Sequence, residues 1–130
     1  RPHVGAARQH RVALARRQTE VARTRLRQGL RLALPHGAPV IDVLYLEGTA
    51  AYLAQVEEYG EAYFMLAAAE TWRARIGVPV APVVLPSQRR LGASLAGRHD
   101  AYGRARLEER ARDAKPADLT AAAARWLEKD

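Results

Sequence analysis

Four histidines, two serines and a knot of carboxylates are the side chains from which a reaction centre could be assembled in this 130-residue sequence. His3 and His10 stand seven residues apart, roughly 10 Å along a helix, too far to share one metal ion by themselves. His36 and His99 are isolated in the chain. Ser87 and Ser94 are the only serines, and neither sits in a Gly-x-Ser-x-Gly elbow. There is no cysteine, hence no disulfide framework, thiolate metal site or thiol nucleophile. No glycine-rich phosphate loop is present. Glu57, Glu58 and Glu61 cluster around Tyr59-Gly60. A carboxylate near a helix start favours the helix dipole, so a structural role is the expectation for Glu61. The expectation is a chain without catalysis, cofactor or metal.

Binding chemistry has two better candidates. Arg16, Arg23, Arg27 and Arg31 recur on one side of the first helical stretch. Such a face could neutralise phosphates and bind nucleic acid in a salt-sensitive way. Against that, arginines also stand near the apolar side at Arg11 and Arg25, and no aromatic residue is there to stack on bases. A solvated face, or one meeting an acidic neighbouring domain, is the stronger expectation; nucleic-acid binding is the alternative. The second candidate is aromatic. Tyr45 and Tyr52, seven apart, share a helix face with Gly48 between them, and Tyr63 follows on the next helix. Core packing accounts for such a set, and so does a groove for a peptide or small effector.

The elements that must position these residues are all helical. From about Val4 to Leu34, Ala15, Ala22, Leu26, Leu30 and Ala33 recur at helical spacing, with Gly29 a weak spot. Pro35 to Pro39 ends that helix. A second helix, about Val40 to Glu58, is apolar on two faces and is expected at the centre. A tight turn at Tyr59-Gly60 leads to a third, about Glu61 to Ile76, closed by Gly77 and Pro79. Val78 to Pro86 holds three prolines, which forbid a central strand. It reads as an extended linker crossing the helices, its valines tucked against them. Further helices follow at Ser87 to Ala96, at Asp100 to Ala114 with Asp100 as N-cap, and through Glu128 with Asp118 as N-cap.

Length suits a single domain spanning 1–130: a helical repeat core over 1–77, the linker over 78–86 and C-terminal helices over 87–130. Residues 1–34 hold nine arginines against one glutamate, so they carry more than the whole net charge of +7. No apolar run approaches the roughly twenty residues of a membrane span, and no signal-peptide core opens the chain. Absence of cysteine agrees with a reducing cytoplasm. The opening Arg1-Pro2 leads to the expectation of a segment excised from a longer protein.

Leu46-Glu47-Gly48, Gly60, Leu66, Ala68-Ala69-Glu70, Arg73 and Gly77-Val78-Pro79 form a pattern. With them, residues 46–79 resemble the tetratricopeptide-like domain of large bacterial multidomain transcriptional regulators. These are the maltose-activator-like and LuxR-type ATPase regulators and the antibiotic-pathway regulators of actinobacteria. Pro86 through Trp126 follows the looser end of the same pattern. Ala67 stands where the family has Gly, and Tyr63 and Phe64 replace smaller residues. The resemblance implies an all-α fold of five to six helices in tetratricopeptide-like hairpins. It also implies a cytoplasmic, non-catalytic module that holds a protein partner or senses a small effector. A stack of hairpins has exposed ends, so self-association is a further expectation.

Overall fold

Alanine and glycine stand where helices touch, and they set the spacing of the whole fold. The computed structural model describes the backbone of residues 2–129, and the side chains of residues 7–129 except that of His36. The side chains of His3 and His36 therefore lie outside the described residues. Six α-helices follow one another: α1 (Pro2–Ala33), α2 (Pro39–Gln55), α3 (Tyr59–Ile76), α4 (Leu85–Ala96), α5 (Ala101–Asp113) and α6 (Pro116–Glu128). A short 3-10 turn, Leu34–His36, joins the first two. The fold is all-α, with no strand among the described residues.

The α2–α3 hairpin is the most extensively packed pair, and α3 also meets α4, α5 and α6. It is therefore α3, rather than the second helix as expected, that touches most of its neighbours. Leu46, Ala50 and Leu53 of α2 meet Ala62, Met65, Ala68 and Ala69 of α3 in a cluster with almost no exposure. Methyl-sized side chains let the two backbones approach closely, and dispersion contacts multiply as they do. Leu30, Leu95, Ala111 and Leu127 bring the other four helices into the same cluster. Thr49, fully buried, satisfies its hydroxyl by donating to the Tyr45 carbonyl at 2.7 Å. α1 closes the bundle on one side, packing on α2 and α6.

The hairpin turn lies earlier than the expected Tyr59-Gly60. Glu58 N–H donates to Leu53 O at 2.8 Å and Glu57 N–H to Ala54 O at 3.2 Å, the paired bonds of a Schellman ending. The left-handed residue is Glu57, at φ 65°, while Tyr59 and Gly60 already belong to α3. Gly77 does take the left-handed position at the end of α3, at φ 72°, as expected. Asp100 caps α5 by accepting from Gly103 N–H at 2.6 Å. Asp118 does not cap α6. The helix starts two residues before it at Pro116, whose fixed φ suits a first helical position, and Asp118 sits in the first turn. α4 likewise begins at Leu85, ahead of Ser87. In the linker Val78 and Val80 are half-buried, but Val83 and Val84 face solvent, because a turn at Ala81 carries them outward.

Gly60 is helical with open space around it, so Gly60→Ala should stabilise the chain by up to about 0.5–1 kcal/mol. Glu57→Gly should add about 0.5 kcal/mol or more by relieving the left-handed strain. Urea unfolding measures both, and a destabilised Gly60→Ala would return the turn to Tyr59-Gly60.

Candidate functional site

The four residues expected to line one groove are divided between two places. The Tyr45 ring lies on Gly29 of α1, where a methyl group would overlap it. A methyl group on Gly48 would sit 2.6 Å from Leu26 Cδ2, also on α1. Tyr52 is buried; desolvation raises its hydroxyl pKa, with Arg23 opposing and Glu20 adding to the shift. The spacing of these three does put them on one face, but α1 covers that face. Tyr63 stands apart on α3. Its hydroxyl donates to Glu108 Oε1 at 3.0 Å, and burial, that bond, and the charges of Glu108 and Glu70 raise its pKa against Arg104.

The expected basic face is divided too. Arg16 is exposed. Arg23 donates to the carbonyl of Lys129, just past α6, and pairs with Glu20 at 3.0 Å. Arg31 pairs with Glu128 at the end of α6. Arg27 is half-buried on the same side of α1. Cations at a helix C-terminus satisfy its carbonyls and its dipole, so this half of the face closes α6.

Tyr63 lines a different feature, an open groove of about 790 Å³ between α3, α4 and α5. One line of α3 forms a wall: Tyr63, Leu66, Ala67, Glu70, Thr71 and Ala74. Gly92 and Ala96 of α4 and Glu108 and Arg112 of α5 face it. The groove has small apolar residues along it and charges of both signs at its edges. Arg75 donates to the Arg112 carbonyl at 2.9 Å, holding one end of α5 to α3. A second hollow of about 370 Å³ shares Leu66, Glu70 and Gly92 and extends to Glu47, Val80 and Gln88. Glu70, exposed, stands where the two adjoin. Glu108 and Arg112 were not foreseen as site residues. The line Tyr63, Ala67, Glu70, Ala74, at steps of four, three and four, marks the α3 wall in the sequence but not the residues that face it.

Beside the groove lies a buried ion pair. Arg73 Nε donates to Glu47 Oε2 at 2.8 Å and Nη2 to Oε1 at 2.7 Å. Arg73 Nη1 donates to the carbonyls of Val78 at 3.3 Å and Pro79 at 3.0 Å. The hydrogen bonds that Arg73 donates to Glu47 raise its pKa, burial opposing them. Both groups are engaged inside the fold by these bonds. Asp42 differs: it is buried, its Oδ1 has no hydrogen-bond partner, and desolvation raises its pKa above the ordinary 3.8. Among the described residues no three of His, Asp or Glu gather as metal ligands, and no helix is long and apolar enough to cross a membrane. Ser87 donates its hydroxyl to the Val84 carbonyl at 2.8 Å, and His99 Nε2 lies 3.4 Å from Tyr59 O.

Arg73→Met strands a buried carboxylate and should cost about 3–5 kcal/mol in urea unfolding. Adding Glu47→Met should recover most of that loss; no recovery would mean that Arg73 acts mainly through Val78 and Pro79. Asp42 gives a pH dependence of its own. With its folded pKa raised, the native state holds the proton more tightly, so stability should fall as pH rises from about 4 through the raised value. Asp42→Asn should flatten that slope, and a slope unchanged in the variant would assign it elsewhere. Searches of family models, curated proteins and solved structures return no match to this chain.

Proposed function

We propose that this chain is a non-catalytic interaction module of a larger bacterial transcriptional regulator, built of tetratricopeptide-like hairpins and working in the cytoplasm. Its groove between α3, α4 and α5 takes a segment of a partner protein or of a neighbouring domain, with a small effector as the lesser occupant. The groove carries this reading. Its volume of about 790 Å³ falls within the range of specific ligand sites. It is open along its length, which suits an extended segment better than an enclosed small molecule. The α3 wall from Tyr63 to Ala74 measures roughly 16 Å, room for about five extended residues. Glu70 and Glu108 offer acceptors, while Arg75 and Arg112 offer donors.

The regulator assignment draws support from a second observation. Glu47, Arg73, Gly77, Val78 and Pro79, which carry the family resemblance, form one hydrogen-bonded unit. Glu47 lies 26 residues before Arg73, so one buried contact gives two separated parts of the pattern a shared reason to occur together.

Glu70→Trp with Ala74→Trp would fill the groove from the exposed part of its α3 wall, since neither residue packs on the buried cluster. Peptides selected from a display library against the chain should bind the parent and lose at least about tenfold affinity for the filled variant. Its melting temperature should stay within about 2 °C, as expected for changes outside the core. Selected peptides that bind both proteins equally, or a library that yields none, would reject the groove as the site.

A further inference from the structure

The half of α1 that precedes Thr19 has a feature that the groove does not explain. Thr19 Oγ1 reaches Gln55, the last residue of α2, at 3.5 Å. From Thr19 onward half-buried residues recur along α1; from Ala7 to Gln18 every residue is exposed. The helix therefore runs on past the end of its neighbour, by roughly 25 Å counted from Pro2.

The apolar line that packs on α2 does not stop where α2 stops. Thr19, Ala22, Leu26, Leu30 and Ala33 are preceded at the same three- and four-residue steps by Val12 and Ala15. Val12 is 46% exposed, so the helix carries its packing stripe into solvent. Arg11 and Arg16 flank the stripe on its two sides, and Arg8 lies at its upstream end. Residues 7–18 contain no acid. A shallow hollow of about 350 Å³ forms over Val12 and Ala13 between Arg8 and Arg16.

We propose that residues 7–18 are a docking arm for an acidic amphipathic helix. The partner continues the place of α2 along the stripe and sets carboxylates against Arg11 and Arg16, the positions that fix pairing in two-helix contacts. The small side chains Val12 and Ala15 suit a second helix at close range. With Leu14 alone on the other side of the helix, the segment offers little to a lipid surface, which favours several bulky apolar anchors on one face. A nucleic-acid duplex would match the arginines and leave the stripe uncovered. A second copy of the arm would set arginine against arginine. The proposal is independent of the groove.

The test uses the full chain and a labelled synthetic helix of about 21 residues, three heptads with an Ala/Leu stripe and Glu at the flanking positions. Fluorescence anisotropy should show binding that weakens as salt rises, because the flanking pairs are exposed. The same peptide with Lys in place of Glu should bind at least about tenfold more weakly. Arg11→Gln with Arg16→Gln should weaken the Glu peptide about fivefold and leave the melting temperature unchanged, since both side chains are exposed. Val12→Gln with Ala15→Gln should weaken it as well. Equal binding of the Lys peptide, or no effect of either double variant, would overturn the proposal. So would tighter binding to a random-sequence DNA duplex or to phosphatidylserine vesicles, or self-association that the Gln variants abolish.

Discussion

The bidentate pair between Glu47 and Arg73 is the constraint on which the arrangement of the other parts turns. Two charges withdrawn from water lose several kcal/mol of hydration each, and mutual attraction offsets that only when the geometry is good and the remaining polar atoms are satisfied. Here both carboxylate oxygens accept, and the third guanidinium nitrogen reaches two backbone carbonyls beyond α3. The pair thus joins three segments: the middle of α2, the last turns of α3 and the chain leaving α3. Gly77 makes the sharp exit possible, and Val78 N–H returns to the Arg73 carbonyl at 3.1 Å. Side chain and backbone of one residue therefore hold the same turn. That turn sets where Val78 to Ala81 runs, and through it where α4 begins. A groove walled by α3 and α4 depends on this direction.

A second constraint is steric. Tyr45 rests on Gly29, and Leu26 fits the space left by Gly48, so each helix of the α1–α2 pair supplies a glycine for the other's bulky residue. The weak helix propensity of Gly29 is offset by the close approach it permits. Tyr45 and Tyr52 are then occupied under α1. Tyr63, turned toward α5, is the one of the three that remains beside a groove.

Helix order was readable because its signals are local. The three prolines between Val78 and Pro86, Gly77 after Ile76 and Asp100 before α5 each act through bonds within a few residues. The α2–α3 turn misled for a related reason. Gly60 is the best left-handed residue nearby, yet the buried positions Leu53 and Ala62 fix the register, and Glu57 must take the strained conformation. Pro116 similarly set the start of α6 before Asp118 could. The groove was hardest to read. It needs Gly92, Ala96, Glu108 and Arg112 from two later helices, and no periodicity in α3 announces them. Whether a tyrosine face is covered is likewise decided by a helix that stands upstream in the chain. Spacing within α2 could show that Tyr45 and Tyr52 share a side, but not which helix lies over that side.

The basic character of the chain also divides once the packing is known. Arg23 and Arg31 are spent at the end of α6, where they meet a carbonyl and a carboxylate that the fold itself provides. Their charge is partly offset by Glu20 and Glu128 at the surface. Arg8, Arg11, Arg16 and Arg17 hold no ion pair among the described residues. They stand on a helix segment whose described residues from Ala7 to Gln18 are all exposed, so their field extends into solvent over about a Debye length. The same residue type on the same helix thus does two jobs, and the boundary between them is the end of α2. Net charge alone could not separate these, because it counts both halves equally. A segment of high charge with an apolar line beneath it is costly to leave in water on two accounts, self-repulsion and exposed surface. Its arginines balance no charge within the fold, and its stripe covers no core residue of its own. What both features have in common is the surface that would satisfy them together.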